Sequence, residues 1–170
     1  MKRSISSLLV FAFLLVIGVA CGPEGRPATA SIAKPLAIGH SECAVCGMTV
    51  ADQPSPRAQV LHRDGKRRFF CSLGDLRAYV QAPSPLGQVI RIWVETLPTD
   101  FDPAKMDLAP RSWIDAEEAR FVVGIVRPGI MGRPVLSFAN EAEAADLAGR
   151  LGARIATWKE LAETPFNDLP

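Results

Sequence analysis

The architecture of this chain is decided by residues 58–81, which read AQVLHRDGKRRFFCSLGDLRAYVQ. Ala58–His62 alternates in character as a strand does, and Asp64-Gly65 is a common hairpin turn. Lys66–Cys71 then returns as a second strand. A β-hairpin is therefore the first element that the sequence predicts.

A helix and a third strand follow this hairpin. Ser72 is a good N-cap with Asp75 three residues later, and four apolar residues share one helical face: Leu73, Leu76, Tyr79 and Val80. Pro83 and Pro85 end the helix, and 89–94 (VIRIWV) is typical of a strand. The unit is β-β-α-β.

The same order of elements recurs further along the chain. Its parts are a strand at Arg120–Gly124, a loop at Pro128-Gly129, a strand at Pro134–Phe138, a helix capped by Asn140 and ended by Gly152, and a strand at Arg154–Trp158. Aligning Ser72 with Asn140 matches Phe70 with Phe138. We therefore predict an α+β fold of two tandem β-β-α-β lobes, 38–97 and 113–170, joined by a Pro-rich linker, 98–112.

The N-terminus predicts export. Lys2 and Arg3 precede the apolar run Leu8–Val16, which has signal-peptide length and is too short for a membrane span. The run ends in a sequence that resembles a bacterial lipobox, although Gly18 stands where a leucine is usual. We predict a lipoprotein signal at 1–20 and an acylated Cys21.

Two alternatives to acylation remain open, an ordinary secretory signal cut near Ala20 and an uncleaved anchor. Pro23, two residues after Cys21, is not an aspartate, and analogy with such lipoproteins therefore suggests the periplasmic face of the outer membrane. Residues 21–37 are rich in Gly, Pro, Ala and Ser and are predicted to form a flexible tether. The mature chain would have 170 − 20 = 150 residues, with 19 − 2 = 17 basic against 18 acidic side chains. That balance does not indicate nucleic-acid binding.

Cys43-Ala44-Val45-Cys46-Gly47-Met48 carries the clearest chemical signal. Two thiols and a thioether within six residues select Cu(I), or failing that zinc, over hard cations. With Cys21 acylated, three thiols remain, because Cys71 joins Cys43 and Cys46. An odd number in an oxidising compartment leaves one thiol unpaired unless a metal holds it.

A lipobox, the Cys43-x-x-Cys46-x-Met48 motif, the doubled β-β-α-β pattern and Met131-Gly132 before the strand at 134–138 together resemble one family, the NosL accessory lipoproteins of nitrous oxide reductase. The resemblance covers most of the mature chain. It implies a Cu(I)-binding chaperone that supplies copper to nitrous oxide reductase, whose catalytic centre is a copper–sulfide cluster. It also implies lobes similar to those of organomercurial lyase, without that enzyme's chemistry.

Met131 extends the candidate copper site to the second lobe. It lies 83 residues after Met48, in the loop between the corresponding strands, so a shared site would lie in the cleft between the lobes. The predicted ligands are Cys43, Cys46, Met48 and Met131, with His40 and Cys71 as secondary candidates.

Each candidate has an alternative role. Cys43 and Cys46 could form a disulfide, Met48 could fill a core gap, and Cys71 could be a small buried apolar residue. His40 could be a solvated loop residue, and we interpret His62 as a turn residue.

Two alternative functions use the same thiols. A structural zinc site could combine Cys43, Cys46 and Cys71 with His40 or His62. A thiol–disulfide oxidoreductase would use Cys43 and Cys46, but its motif opens a helix, whereas Pro54 and Pro56 follow here. Hydrolase and phosphate-binding motifs are absent from the sequence. We therefore expect a binding and delivery protein and not an enzyme.

Overall fold

The structure is a computed structural model that describes residues 33–54, 56–98, 100–102, 108–125 and 134–164. The strands are β1 (Ala58–His62), β2 (Arg67–Phe70), β3 (Val89–Glu95), β4 (Trp113–Asp115), β5 (Arg120–Val123), β6 (Leu136–Phe138) and β7 (Arg154–Ala156). The α-helices are α1 (Leu73–Gln81), α2 (Glu141–Leu151) and α3 (Trp158–Glu163), and a short 3₁₀ helix spans Val50–Asp52. In these ranges, no helix combines the length and apolar character needed to cross a bilayer.

Two antiparallel sheets organise the fold, in the orders β2-β1-β3-β4 and β6-β5-β7. In each sheet the first strand of a hairpin is central, and the strand after the helix pairs with its other edge. This confirms the predicted α+β fold with its doubled β-β-α-β pattern.

Three details differ from the sequence prediction. The strand β4, which falls in the range predicted for the second lobe, pairs with β3 and extends the first sheet. Trp158 begins α3 instead of ending a strand, because Thr157 and Glu160 form a capping box that starts a helix there. His62 is the fully buried last residue of β1 and not an exposed turn residue.

The predicted helix ends are confirmed. The hydroxyl of Ser72 accepts a hydrogen bond from the N–H of Asp75, and the side chain of Asn140 accepts one from Ala142. Gly152 ends α2 with φ 65°, a left-handed conformation that glycine adopts without strain.

The two lobes meet in a shared hydrophobic cluster, and a second cluster lies mainly in the second lobe. Leu73 of α1 belongs to the same buried cluster as Trp158 and Leu161 of α3. The buried Arg77 strengthens this contact, since its Nε donates to the carbonyl of Leu161 at 2.7 Å and its Nη2 donates to the carbonyl of Thr164. Helix α1 is therefore held against the second lobe.

A buried ion pair fixes the segments around the first sheet. The guanidinium of Arg57 makes a bidentate contact with Glu95, with Nε–Oε2 2.6 Å and Nη2–Oε1 2.9 Å. Nη1 of Arg111 lies 3.5 Å from the same carboxylate. The exposed fractions of Arg57 and Glu95 are 2% and 1%, so the pair is shielded from water.

We predict that Glu95→Ala lowers the free energy of unfolding by about 3–5 kcal/mol, because it leaves a buried guanidinium without its counter-charge. Arg150→Gln is the control. It breaks a pair with Asp146 whose side chains are 54% and 68% exposed, and should change stability by no more than about 0.5 kcal/mol. Urea unfolding measures both. Similar small losses for the two variants would contradict the role of Glu95.

Candidate metal centre

The loop at 43–48 is a closed turn. The N–H of Cys43 donates to the carbonyl of Met48 at 2.8 Å, and the N–H of Gly47 donates to the carbonyl of Cys43 at 2.9 Å. Gly47 has φ 74°, which favours glycine. These contacts fold the motif back on itself, so that its two thiols lie close together.

This loop docks against the end of β2. The N–H of Ala44 donates to the carbonyl of Phe69 at 2.9 Å, and Cys43 forms an isolated parallel bridge with Phe69. Cys71 follows β2 directly, so the docking brings a third thiol to the loop.

Four possible ligands meet here: Cys43, Cys46, Cys71 and Asp75. Their donor atoms all lie within 4.8 Å of one another. Sγ of Cys46 is 3.5 Å from Sγ of Cys71, and Oδ2 of Asp75 lies 3.2 Å from Sγ of Cys43 and 3.1 Å from Sγ of Cys71. Ligands at bond lengths of about 2.3 Å are at most about 4.6 Å apart, so this cluster needs little movement to enclose one ion.

Sequence reasoning missed Asp75 as part of the site. It explained this residue as the acidic third position of a helix start, but only the backbone N–H of Asp75 is used by the Ser72 cap. The carboxylate turns towards the sulfurs instead. The available signal was that Cys71 directly precedes the N-cap Ser72 and Asp75 is the third residue of the helix, so both side chains lie at the N-terminus of α1.

Burial makes the cluster asymmetric. Cys43 and Cys71 are only 3% and 4% exposed, whereas Cys46 is half-buried. None of these three cysteines forms a disulfide. A metal bound here would therefore be reached from the side of Cys46.

The three thiols differ in acidity. The pKa of Cys43 is lowered to about 6, first by a hydrogen bond from the thiol of Cys71, while burial opposes this effect. The same hydrogen bond raises the pKa of Cys71, as does burial. Burial also raises the pKa of Cys46. Cys43 is thus the thiol that ionises first.

The remaining sequence candidates are placed as follows. Met48 is half-buried against the core beside the loop, and its carbonyl contacts Cys43. His40 is exposed and is not part of the cluster. Met131 and Cys21 lie outside the described residues, so their roles stay predictions.

His62, one of the two histidines considered for the alternative zinc site, has hydrogen-bond partners on both ring nitrogens. Nδ1 of His62 lies 3.0 Å from the carbonyl of Gly87, and Nε2 lies 2.9 Å from the hydroxyl of Tyr79. Both ring nitrogens therefore have partners away from the thiols.

The arrangement suits a soft metal. Three sulfurs favour Cu(I) or zinc, and the added carboxylate is a donor that zinc accepts and Cu(I) does not need. The motif Cys43-x-x-Cys46 lies in a turn followed by a short 3₁₀ helix, Val50–Asp52, and not at the start of an α-helix. That setting does not favour a thiol–disulfide oxidoreductase.

A family model described as NosL matches residues 36–165. The copper-binding lipoprotein NosL of Stutzerimonas stutzeri is 31% identical over 161 residues, which cover 89% of this chain and 78% of that protein. The copper-binding lipoprotein NosL of Achromobacter cycloclastes is 25% identical over 166 residues, or 96% and 83% of the two chains. The crystal structure of the copper chaperone NosL from Shewanella denitrificans superposes with a TM-score of 0.64 at 27% identity, covering 76% of this chain and 96% of that one.

We predict that the metal-free, reduced protein forms one thiolate with a midpoint at a pH of about 6, the pKa of Cys43. Below this pH the thiol is protonated, and above it the thiolate accumulates. Ultraviolet absorbance of the thiolate during a pH titration measures the step. Cys43→Ser should remove it, Cys46→Ser should leave it, and Cys71→Ala should move it to higher pH because the hydrogen-bond donor is lost. A first step only above pH ~8, as in an unperturbed cysteine, would contradict the assignment.

Proposed function

This chain belongs to the NosL family, and we propose that it is a membrane-anchored periplasmic chaperone that carries Cu(I) to nitrous oxide reductase. Copper is its cargo, for assembly of the copper–sulfide centre of that enzyme, and the chain itself catalyses no reaction. The relatives are named for copper binding or as a copper chaperone, which supports the cargo. The oxidation state, the acceptor and the compartment are parts of the proposal.

The observation that carries this proposal is the convergence of Cys43, Cys46 and Cys71 within 4.8 Å. The three thiols come from a loop and a strand end that are 25 residues apart or more, so their meeting is a product of the tertiary fold. Sulfur donors at low coordination number are what Cu(I) prefers.

The proposed ligands divide by type. We assign Cys43 and Cys46 as the principal thiolates, with Cys71 as a third sulfur alongside them. Met48 and Met131 supply neutral thioethers, which bind Cu(I) without adding negative charge and cannot be lost to a disulfide. A ligand from the second lobe would close the site over the copper.

The proposed location follows from the acyl anchor on Cys21. The names of the two relatives describe lipoproteins, which supports anchoring at a membrane. The periplasmic face, and the outer membrane suggested by Pro23, complete this part of the proposal. The anchor would confine this carrier to that membrane surface.

A structural zinc site is the second candidate, and Asp75 favours it. Cys43, Cys46, Cys71 and Asp75 give four donors, as a closed tetrahedral zinc site needs. In this version Asp75 replaces the histidine of the sequence-based zinc hypothesis. Zinc would then stabilise the fold, and its removal should unfold the protein.

Metal competition on the reduced mature chain distinguishes the two candidates. We expect one Cu(I) per monomer, held against a chromogenic Cu(I) chelator and preferred over zinc. Cys43→Ala with Cys46→Ala should abolish this binding, as should oxidation of the thiols.

Asp75→Asn further distinguishes the copper site from the zinc site, because it keeps the shape of the side chain and removes the anionic ligand. Under our proposal Cu(I) binding persists in this variant. If zinc is the native metal, its affinity should fall by more than the ~10–100-fold that loss of an outer-shell partner costs. Preference for zinc in the parent, together with that loss, would overturn the copper assignment.

Delivery is tested at Met131. Met131→Leu roughly conserves volume and should cost less than about 1.5 kcal/mol of stability, yet it removes a sulfur donor. We expect weaker Cu(I) binding and lower copper loading of nitrous oxide reductase in cells, most clearly when copper is scarce. Met106→Leu, in the predicted linker, is the control and should have no effect. Normal Cu(I) binding and a fully loaded reductase in Met131→Leu would refute a ligand role for Met131.

A further inference from the structure

The β1–β2 hairpin carries a concentration of positive charge, which we call the basic hairpin cluster. Its members are Arg63, Lys66, Arg67 and Arg68 of the hairpin, together with Lys34, whose carbonyl contacts Arg67. Asp64 is the one acidic residue at the hairpin turn, so the local net charge is 5 − 1 = +4. Three of the five cations, those at 34, 63 and 66, are exposed.

Little of this charge is neutralised within the protein. Among the described residues, the ion pairs of the cluster are limited to Lys66 with Asp64, at 3.2 Å, where both side chains face solvent. Arg67 has a structural role, since its guanidinium lies 4.8 Å from the ring centroid of Trp93 and donates to Gln59 at 2.8 Å. Lys34 and Arg63 are exposed, and Arg68 is half-buried with one N–H donated to the carbonyl of Arg67.

The second half of the chain has the opposite sign. The predicted second lobe, 113–170, contains six basic side chains and nine acidic ones, a net charge of 6 − 9 = −3. The charge of the protein is therefore unevenly distributed, because the basic hairpin cluster is positive and the second lobe is negative. A polarised protein orients in the field of a charged surface.

The described chain begins beside this hairpin. Nη2 of Arg67 donates to the carbonyl of Lys34 at 2.7 Å, and the backbone of Leu36 makes two hydrogen bonds with the side chain of Gln59. The first described residues thus lie at the basic hairpin cluster, and the sequence leads back from there to Cys21. That stretch spans 34 − 21 = 13 residues, which reach at most about 47 Å.

From this juxtaposition we propose that the basic hairpin cluster is a membrane-facing surface that binds anionic phospholipid headgroups. The inference rests on the acylation of Cys21 in the proposed function, which brings this side of the fold to a bilayer. Basic residues near an anionic surface contribute about 1 kcal/mol each, or about fivefold in binding. An acyl anchor with a basic patch then fixes orientation as well as attachment.

This orientation determines which side of the metal centre faces the bilayer. Cys71 lies four residues beyond Arg67, at the opposite end of β2, which is about 13 Å along a strand. With the hairpin on the headgroups, the thiols would face away from the bilayer. A partner protein could then reach Cys46 without displacing lipid.

Vesicle binding tests the surface separately from the anchor. The mature chain with Cys21→Ser is mixed with phosphatidylcholine vesicles that contain or lack phosphatidylglycerol, and bound protein is measured by co-sedimentation. We expect binding only to the anionic vesicles and its loss at high salt. Arg63→Gln, Lys66→Gln and Arg68→Gln together should weaken binding about 100-fold, at about fivefold for each charge.

The matched control removes the same charge from the second lobe. Arg150→Gln, Arg154→Gln and Lys159→Gln together change three exposed cations, and this variant should bind anionic vesicles as well as the parent. Circular dichroism and Cu(I) titration check that both triple variants fold. Equal loss in the two triple variants, or equal binding to both kinds of vesicle, would overturn the proposal. A parent protein that binds anionic vesicles but no Cu(I) would instead count against the proposed copper function alone.

Discussion

The carboxylate of Glu95 is the constraint on which the arrangement of the chain depends. A buried charge must be paired, and Glu95 recruits Arg57, from just before β1, and Arg111, from just before β4. Its carbonyl also accepts a hydrogen bond from the hydroxyl of Ser137 in β6. Glu95 thus fixes the segments that lead into β1 and β4 of the first sheet, and it also holds β6 of the second sheet. Separating the lobes would break the Ser137 hydrogen bond and expose the strand that carries Glu95.

The sequence predicted what local rules determine. The hairpins, the Ser72 and Asn140 caps and the thiol loop all follow from patterns within a few residues. The role of Asp75 does not, because a capping rule explains its backbone N–H but cannot say where its carboxylate points. That direction depends on the loop at 43–48, which reaches α1 only in the folded protein. The pairing of β4 with β3 is likewise a long-range choice that no local pattern records.

The repeated lobes have the same topology but different chemistry. Aligning Ser72 with Asn140 puts Ala139 at the position of Cys71 and Glu143 at that of Asp75. The second lobe therefore keeps an acidic residue at its helix start but has no cysteine. Its described residues contribute packing, through α3 against α1, while the soft donors are concentrated in the first lobe.

The distribution of burial over the thiols explains how one site could both hold and release a metal. Cys43 and Cys71 are screened from water, so a metal bound to them is protected from oxidation and from competing ligands. Cys46 is half-buried, so among the three described thiols it is the one that an incoming sulfur donor can reach first. Ligand exchange can then proceed one bond at a time. A sulfur of the partner first replaces Cys46 on the metal, and the bonds to the buried Cys43 and Cys71 break afterwards. A more exposed site would lose its cargo to any thiol in solution, and a fully enclosed one would require unfolding to release it.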